Sequence, residues 1–355
     1  METYNGHGGL TLVPLPGFVD LANQLKEAIE HRNHKETDPP TTVDIAVPEF
    51  GLRSNQEPFV RLGKEHIGGH DCVVLTSGPG TYQMIIQLLL ILGYLAGRRA
   101  GRITVITGYF PLSRSDKDEG SMELALPRLI VDLMQTAADG RLDRIIAMDL
   151  HSPQVVMAGK LGRITEVSMA RRVLKRALDD AIVKGYRGRI CILLPDDGAQ
   201  KRYAGVIKQV SEETGEILPL VIGQKRRTDS HSSQLLGLSG DIDALQGALV
   251  IGLDDEIATA KTNGDTAVAV KANFGTKEYW AVVIHGVLSE NAPQFLSRAD
   301  CPIDCTYITG TIPPEGRPEL AELLTNGKLV VAPLVKDLAQ IIYFHHWDRR
   351  IRDMR

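Results

Sequence analysis

The stretch LDDEIATAKTNGDT, beginning at Leu253, brings together the residue types that bind a phosphorylated sugar. An apolar run delivers the adjacent acids Asp254 and Asp255, a Thr-rich turn follows, and a helical pattern comes next. Two neighbouring carboxylates can accept hydrogen bonds from the vicinal hydroxyls of a ribose. The amides and hydroxyls around Thr259 and Thr262 can cradle its 5-phosphate, as loop–helix junctions do for anions. The plain alternative is an acidic turn that caps a helix.

Four other clusters carry comparable chemistry. AMDLHSPQ sets Asp149 and His151 just past an apolar run, where a histidine alone is as readily a partner of backbone or acid. FPLSRSDKDEG, from Phe110, crowds Arg114, Ser115, Asp116, Lys117 and Glu119 together, as a solvated charged loop also would. LLPDDGAQKR, from Leu193, places Asp196, Asp197 and Gly198 before a helix expected to start near Gln200, a junction that binds phosphate or caps a helix. QKRR, from Gln224, puts Lys225 and Arg227 in an expected mobile loop, where such a pair is otherwise only surface charge. Four of the five follow expected strand ends, which is where open α/β sheets bind ligands.

The elements that position these clusters are short β-branched runs after Gly/Asp-rich breaks. They are VDIAV, CVVLT, ITVIT, IIAMD, ICILLP, ILPLVIG, ALVIGLDD, YWAVVIHG and CTYIT. Runs without polar alternation suit strands covered on both faces, as in a parallel sheet. Helical stretches lie between them, Glu123 to Ala138 and Met169 to Lys184 among them, so the predicted class is α/β. Met84 to Ala96 is apolar but interrupted by Gln87 and too short to cross a bilayer, which predicts a buried helix. A second βα series begins after Ala158 to Val167, predicting domains at 1–165 and 166–355. The polar run Glu30 to Thr42 is expected to be a surface loop.

Composition narrows the class further. With 40 Lys+Arg against 44 Asp+Glu, the formal charge of −4 argues for neither a nucleic-acid nor a membrane surface. Cys72, Cys191, Cys301 and Cys305 have no metal or redox spacing, which fits a reduced compartment. METYNGHGGLTLVP lacks a basic start and an apolar signal core, so the expected location is cytoplasmic.

Taken in order, these segments resemble the ribose-phosphate pyrophosphokinases over nearly the whole chain. RSNQEPFVRLGKEHIGGHD, TSGPGTYQM, IHGVLS and ITGTIP agree with them. The resemblance implies two tandem phosphoribosyltransferase-like domains with mostly parallel sheets. It also implies Mg²⁺, ATP as co-substrate and a homo-oligomer, dimer to hexamer. Because the ATP motifs lie before the domain boundary and the sugar motifs after it, the active site is expected in the cleft between the domains. Asn55 and Glu57 match the loop that reaches the adenine of ATP on a neighbouring subunit. Arg114 matches the phosphate arginine, with Ser115 and Asp116 beside it, and Glu119 stands where an Asp helps hold the nucleotide. His151 matches the histidine next to the catalytic metal. Lys225 and Arg227 match the basic pair of the catalytic loop, although one extra residue precedes them here. Asp254, Asp255, Thr259 and Thr262 match the ribose-phosphate loop, and Asp196 is grouped with them.

Several positions depart from that pattern. The third acid of the ribose-phosphate loop is Ala258, and the glycine that admits the phosphate is Lys261. The adenine-stacking aromatic is Arg53, the Gln after the phosphate arginine is Ser115, and Glu166 stands nearest the early second-domain metal acid. The first functional reading is pyrophosphoryl transfer to ribose 5-phosphate. Lys261 and Ala258 motivate a second, with a larger 5-substituted ribose such as ADP-ribose as acceptor. A third is a non-catalytic regulatory relative, against which His151, Arg114 and the basic pair count. A plain phosphoribosyltransferase is disfavoured by length and by the ATP motifs.

Overall fold

Strands covered on both faces need apolar side chains at every position, and the chain supplies them. In the computed structural model, which describes residues 6–31, 39–117, 123–227 and 233–351, each of the apolar runs above contributes to a strand. Only the backbone is described at 224–227 and 233–236. The chain divides into two units, the first made of Met1–Ser168, Thr311–Gly316 and Leu334–Arg355, the second of Met169–Gly310 and Arg317–Pro333.

The first unit begins with β1 (Leu10–Pro14), α1 (Val19–Glu30) and β2 (Val43–Ile45). A hairpin of β3 (Pro48–Leu52) and β4 (Pro58–Leu62) follows, then β5 (Asp71–Thr76), α2 (Tyr82–Gly97) and β6 (Arg102–Thr107). After these come α3 (Pro127–Ala137), β7 (Leu142–Met148) and β8 (Ile164–Val167). The sheet runs β2-β1-β5-β6-β7-β8 and is parallel throughout. Every residue of β5 and β6 is buried, which is why neither alternates in polarity. Leu88, Ile91 and Leu92 of α2 and Ile130 and Met134 of α3 pack with Val74, Val105 and Ile145 in one core. Helix α3 starts at Pro127 rather than Glu123, because a proline is pre-set for the first turn.

The second unit contains α4 (Ala170–Val183), β9 (Ile190–Leu194), α5 (Asp197–Thr214), β10 (Leu220–Arg227), β11 (Ser233–Gly240) and β12 (Leu249–Ile257). It continues with α6 (Lys261–Phe274), β13 (Glu278–Gly286), α7 (Ala292–Ser297), β14 (Cys305–Thr309), α8 (Ala321–Thr325) and β15 (Leu329–Ala332). Its sheet order is β11-β10-β9-β12-β13-β14-β15, with β11 antiparallel to β10 and the other pairs parallel. The order reverses between β9 and β12. Reversal points of this kind open a crevice at the carboxyl ends of the strands.

The chain ends in α9 (Val335–His346), which belongs to the first unit and packs against α1. A domain cut at 165/166 would have assigned it to the second. Polar burial explains the return. Arg102 grips Asp71 through two hydrogen bonds of 3.0 and 2.6 Å, and donates to the His345 carbonyl at 2.9 Å. His346 Nδ1 lies 2.8 Å from Asp71 Oδ2. A buried carboxylate and guanidinium persist only when paired and hydrogen-bonded, and α9 supplies part of that set.

Candidate active site

In the second unit, β12 carries Asp254 and Asp255 to its carboxyl end, where Asp254 pairs in register with Val283 of β13. The Asp255 amide donates to Asp254 Oδ1 at 2.9 Å, which turns that carboxylate back along the loop. Asp255 is buried, and Arg202 of α5 places Nη1 3.8 Å from its Oδ2. Sequence reading passed over Arg202, although it stands within the quoted LLPDDGAQKR segment.

The loop then turns through Thr259 into α6. Its N-cap is Ala260, at φ 62° in the left-handed region and with no side chain able to cap. A non-glycine residue there costs about 1–2 kcal/mol, and the turn keeps it. The amides of Lys261, Thr262 and Asn263 open the helix, so they have no acceptor within it. They offer an oxyanion the positive end of the helix. Lys261 and Thr262 are exposed. Asp196 follows β9 and caps α5, its Oδ1 accepting from the Ala199 amide at 2.9 Å. The helix therefore starts at Asp197, three residues before the expected Gln200. Leu193, Pro195, Gly252, Asp254 and Thr262 line a small cleft between these strand ends.

Lys225 and Arg227 lie in a strand rather than in a loop. Beyond Ile222, β10 leaves β9 and pairs only with β11, with an irregularity between Gln224 and Lys225. Lys225 stands opposite Leu235 and Arg227 opposite Ser233, so the pair sits on a two-stranded ribbon that extends past the sheet. The irregularity falls immediately before Lys225.

In the first unit, the loops after β5 and β6 are laced together. The Tyr109 amide donates to Ser77 Oγ at 2.6 Å, and the Leu112 amide to the Pro79 carbonyl at 3.1 Å. A Cβ on Gly108 would lie 2.0 Å from the Thr311 carbonyl oxygen, so only glycine fits there. On this frame Arg114 is exposed, while Ser115 is tied by its amide to Leu112 and by its carbonyl to the Leu126 amide. Asp116 is half-buried, and Glu119 lies outside the described residues.

His151 follows β7. Asp149, at φ 39°, accepts from Ser168 Oγ at 2.7 Å, and the Leu150 amide donates to Glu166 Oε1 at 2.9 Å. The structure thus brings His151 and Glu166 to adjoining strand ends, since Glu166 of β8 pairs with Ala147 of β7. Among the described residues no three His, Cys, Asp or Glu side chains form a cage for a metal. The Glu166 carboxylate beside β7 is the kind of single protein oxygen donor that would suit Mg²⁺ carried on a nucleotide, because this ion keeps several waters and takes one or two protein oxygens plus phosphates.

The hairpin tip carries Asn55 and Glu57, both exposed. Asn55 Oδ1 accepts the Glu57 amide at 3.2 Å, and Gln56 at φ 68° closes the turn. Arg53 and Arg61 flank the Phe59 ring, with guanidinium carbons 5.7 and 4.9 Å from its centroid.

Similarity to known proteins bears on this arrangement. Residues 21–138 match the family model described as the N-terminal domain of ribose phosphate pyrophosphokinase. The ribose-phosphate pyrophosphokinase of Corynebacterium glutamicum is 30% identical over 296 residues, covering 82% of this chain and 82% of the relative. The chain belongs to the ribose-phosphate pyrophosphokinase family. The enzyme of that name from Rhodopirellula baltica is 29% identical over 307 residues, covering 86% of this chain and 89% of its own. The crystal structure of phosphoribosylpyrophosphate synthetase from Mycobacterium smegmatis superposes with a TM-score of 0.73 at 25% identity, covering 96% of this chain and 99% of that one. Membership of this family accords with the α/β class read from the strand runs, and the solved structure shares it along almost the full chain.

Proposed function

We propose that this chain transfers the pyrophosphoryl group of Mg·ATP to the anomeric hydroxyl of ribose 5-phosphate, giving phosphoribosyl pyrophosphate and AMP. The observation that carries this reading is the acid pair on β12 leading into the uncapped start of α6, in a chain of this family. Asp254 and Asp255 accept from the ribose 2- and 3-hydroxyls. Thr259, Thr262 and the first amides of α6 hold the 5-phosphate, with Lys261 and Asp196 at the edge of that pocket.

The anomeric oxygen attacks the β-phosphorus of ATP. The bond from that phosphorus to the α,β-bridging oxygen breaks, AMP leaves with the bridging oxygen and the electron pair, and the proton of the anomeric hydroxyl passes to solvent. Phosphoryl chemistry of this kind depends on positioning and charge neutralisation. Arg114, with Ser115, Asp116 and Glu119, orients the nucleotide phosphates. Lys225 and Arg227 come in from the ribbon to meet the charge that develops. Bound Mg²⁺ would neutralise phosphate oxygens, held with the help of Glu166 and by His151 in its neighbourhood.

Asn55 and Glu57 serve the adenine of a neighbouring subunit's ATP, so the working form is a homo-oligomer. Two features support that assembly. The hairpin tip is exposed, and the first unit leaves Tyr82, Ile86, Leu129, Met157 and Leu161 open to solvent. The site of action is the cytoplasm, in keeping with four free cysteines. No helix among the described residues is long and apolar enough to cross a membrane.

The test is incubation of purified protein with Mg·ATP and ribose 5-phosphate, with nucleotides separated by chromatography. AMP release that requires the sugar and stops on chelation of Mg²⁺ supports the reading. Sugar-independent hydrolysis or ADP as the product overturns it.

A further inference from the structure

Helix α6 begins without the side-chain cap that usually fixes a first turn, yet it carries the amides assigned to the sugar phosphate. A different side chain secures it. Tyr279 is buried in β13, next to Val250 of β12 in register. Side chains two residues apart share one face of a strand, and a tyrosine spans about that distance. The ring therefore runs forward over Gly252. A Cβ on Gly252 would lie 2.0 Å from the phenol oxygen, so this residue is a notch that only glycine provides. Past the notch, the phenol donates to Asn263 Oδ1 at 3.1 Å, in the first turn of α6. Burial and then the Asp254 charge push the phenol far above its ordinary range, which keeps it a donor at any working pH. The next residue is held as well, because a Cβ on Gly264 would meet the Phe295 ring at 2.7 Å.

We infer that Tyr279 is a positioning residue for the sugar acceptor, fixing the phosphate-binding turn of α6 through Asn263 by way of the Gly252 notch. This rests on the reading of that turn as the acceptor site. Tyr279 lies at the buried floor of the small cleft between the strand ends and spends its hydroxyl on Asn263. It acts by removing freedom from amides that would otherwise have to be ordered as the phosphate binds.

The experiment compares wild type, Tyr279→Phe, Asn263→Ala and the double variant, in steady-state kinetics and in amide hydrogen exchange without substrate. Tyr279→Phe keeps the ring and loses only the hydroxyl. It is expected to raise KM for ribose 5-phosphate about fivefold, the ratio set by one neutral hydrogen bond, with KM for ATP within about twofold. Asn263→Ala should match it, and the double variant should be no worse than either single one. Amides 261–263 should exchange faster in Tyr279→Phe while the rest of the unit is unchanged. Equal rises in both KM values with a falling melting temperature would reduce Tyr279 to a structural role and overturn the inference. So would independent, multiplying effects of the two substitutions, or unchanged exchange at the first turn. Wild type without sugar-dependent AMP release would defeat the functional reading alone, and the exchange data would still decide whether Tyr279 fixes the turn.

Discussion

Arg202 of α5 lies 3.8 Å from the carboxylate of Asp255 at the end of β12. Two acids side by side repel each other, and this guanidinium offsets the charge of the more buried one. Arg202→Ala should therefore weaken acceptor binding, raising KM for ribose 5-phosphate by about fivefold, which corresponds to roughly 1 kcal/mol for a partly exposed ion pair. Steady-state kinetics with saturating ATP would measure it. An unchanged KM would mean that Arg202 has no hold on the pair.

Lys225 and Arg227 occupy ladder positions on the β10–β11 ribbon. Cations that meet developing phosphate charge contribute mainly in the transition state. Replacing either by Ala should lower kcat on the order of 10³-fold while KM for either substrate moves much less. Unchanged kcat in both variants would make the pair surface charge only.

Asp71 is fully buried against Arg102 and His346. Burial alone would raise its pKa, but hydrogen bonds from His346 and Arg102 outweigh that and bring it down to about 2. The carboxylate form is thus the stabilising one above the ordinary carboxylate range, and its contribution fades as pH falls toward 2. Asp71→Asn takes from Arg102 its buried counter-ion and leaves only the exposed Asp348 carboxylate at 2.9 Å, so denaturant unfolding should show a loss of about 3 kcal/mol. A loss below about 1 kcal/mol would contradict the role given to this pair in securing α9.

His345 is buried beside Thr104, with Nε2 2.8 Å from its hydroxyl. Burial, with the Arg102 charge second, holds its imidazole down to about 4. The unfolded chain takes up this proton near 6.5, the folded chain only near 4. Stability is therefore complete above 6.5 and falls as pH drops through that window, by on the order of 2–3 kcal/mol. Thermal unfolding between pH 7 and pH 4 should show the decline, and His345→Gln should flatten it. Identical slopes in both proteins would rule His345 out as the source.

Local chemistry was legible where it is continuous in sequence. The apolar run ending in Asp254 and Asp255 announces a strand with acids at its carboxyl end, and β12 is that strand. The β3–β4 hairpin was missed because half-exposed residues give it no sustained apolar run. β1, LTLVP, was missed although the preceding Gly8 and Gly9 mark a break before five buried residues. The basic pair read as loop because the ribbon's strand character comes from pairing with β11, not from its own composition. Glu166 lies on β8 within the segment read as a boundary, and its bond to the Leu150 amide joins residues 16 positions apart. The return of α9 to the first unit depends on Asp71 and His346, 275 positions apart. The Tyr279–Asn263 bond likewise needs the parallel register of β12 and β13 before it can be seen.

In the proposed reaction a diphosphate, rather than a single phosphate, moves to the sugar. Phosphorus NMR of a reaction containing Mg·ATP and ribose 5-phosphate measures this directly. Two mutually coupled new resonances from a sugar-bound diphosphate are expected, growing in equal amount with AMP and absent without the sugar. ADP accompanied by an uncoupled sugar phosphate resonance would contradict it.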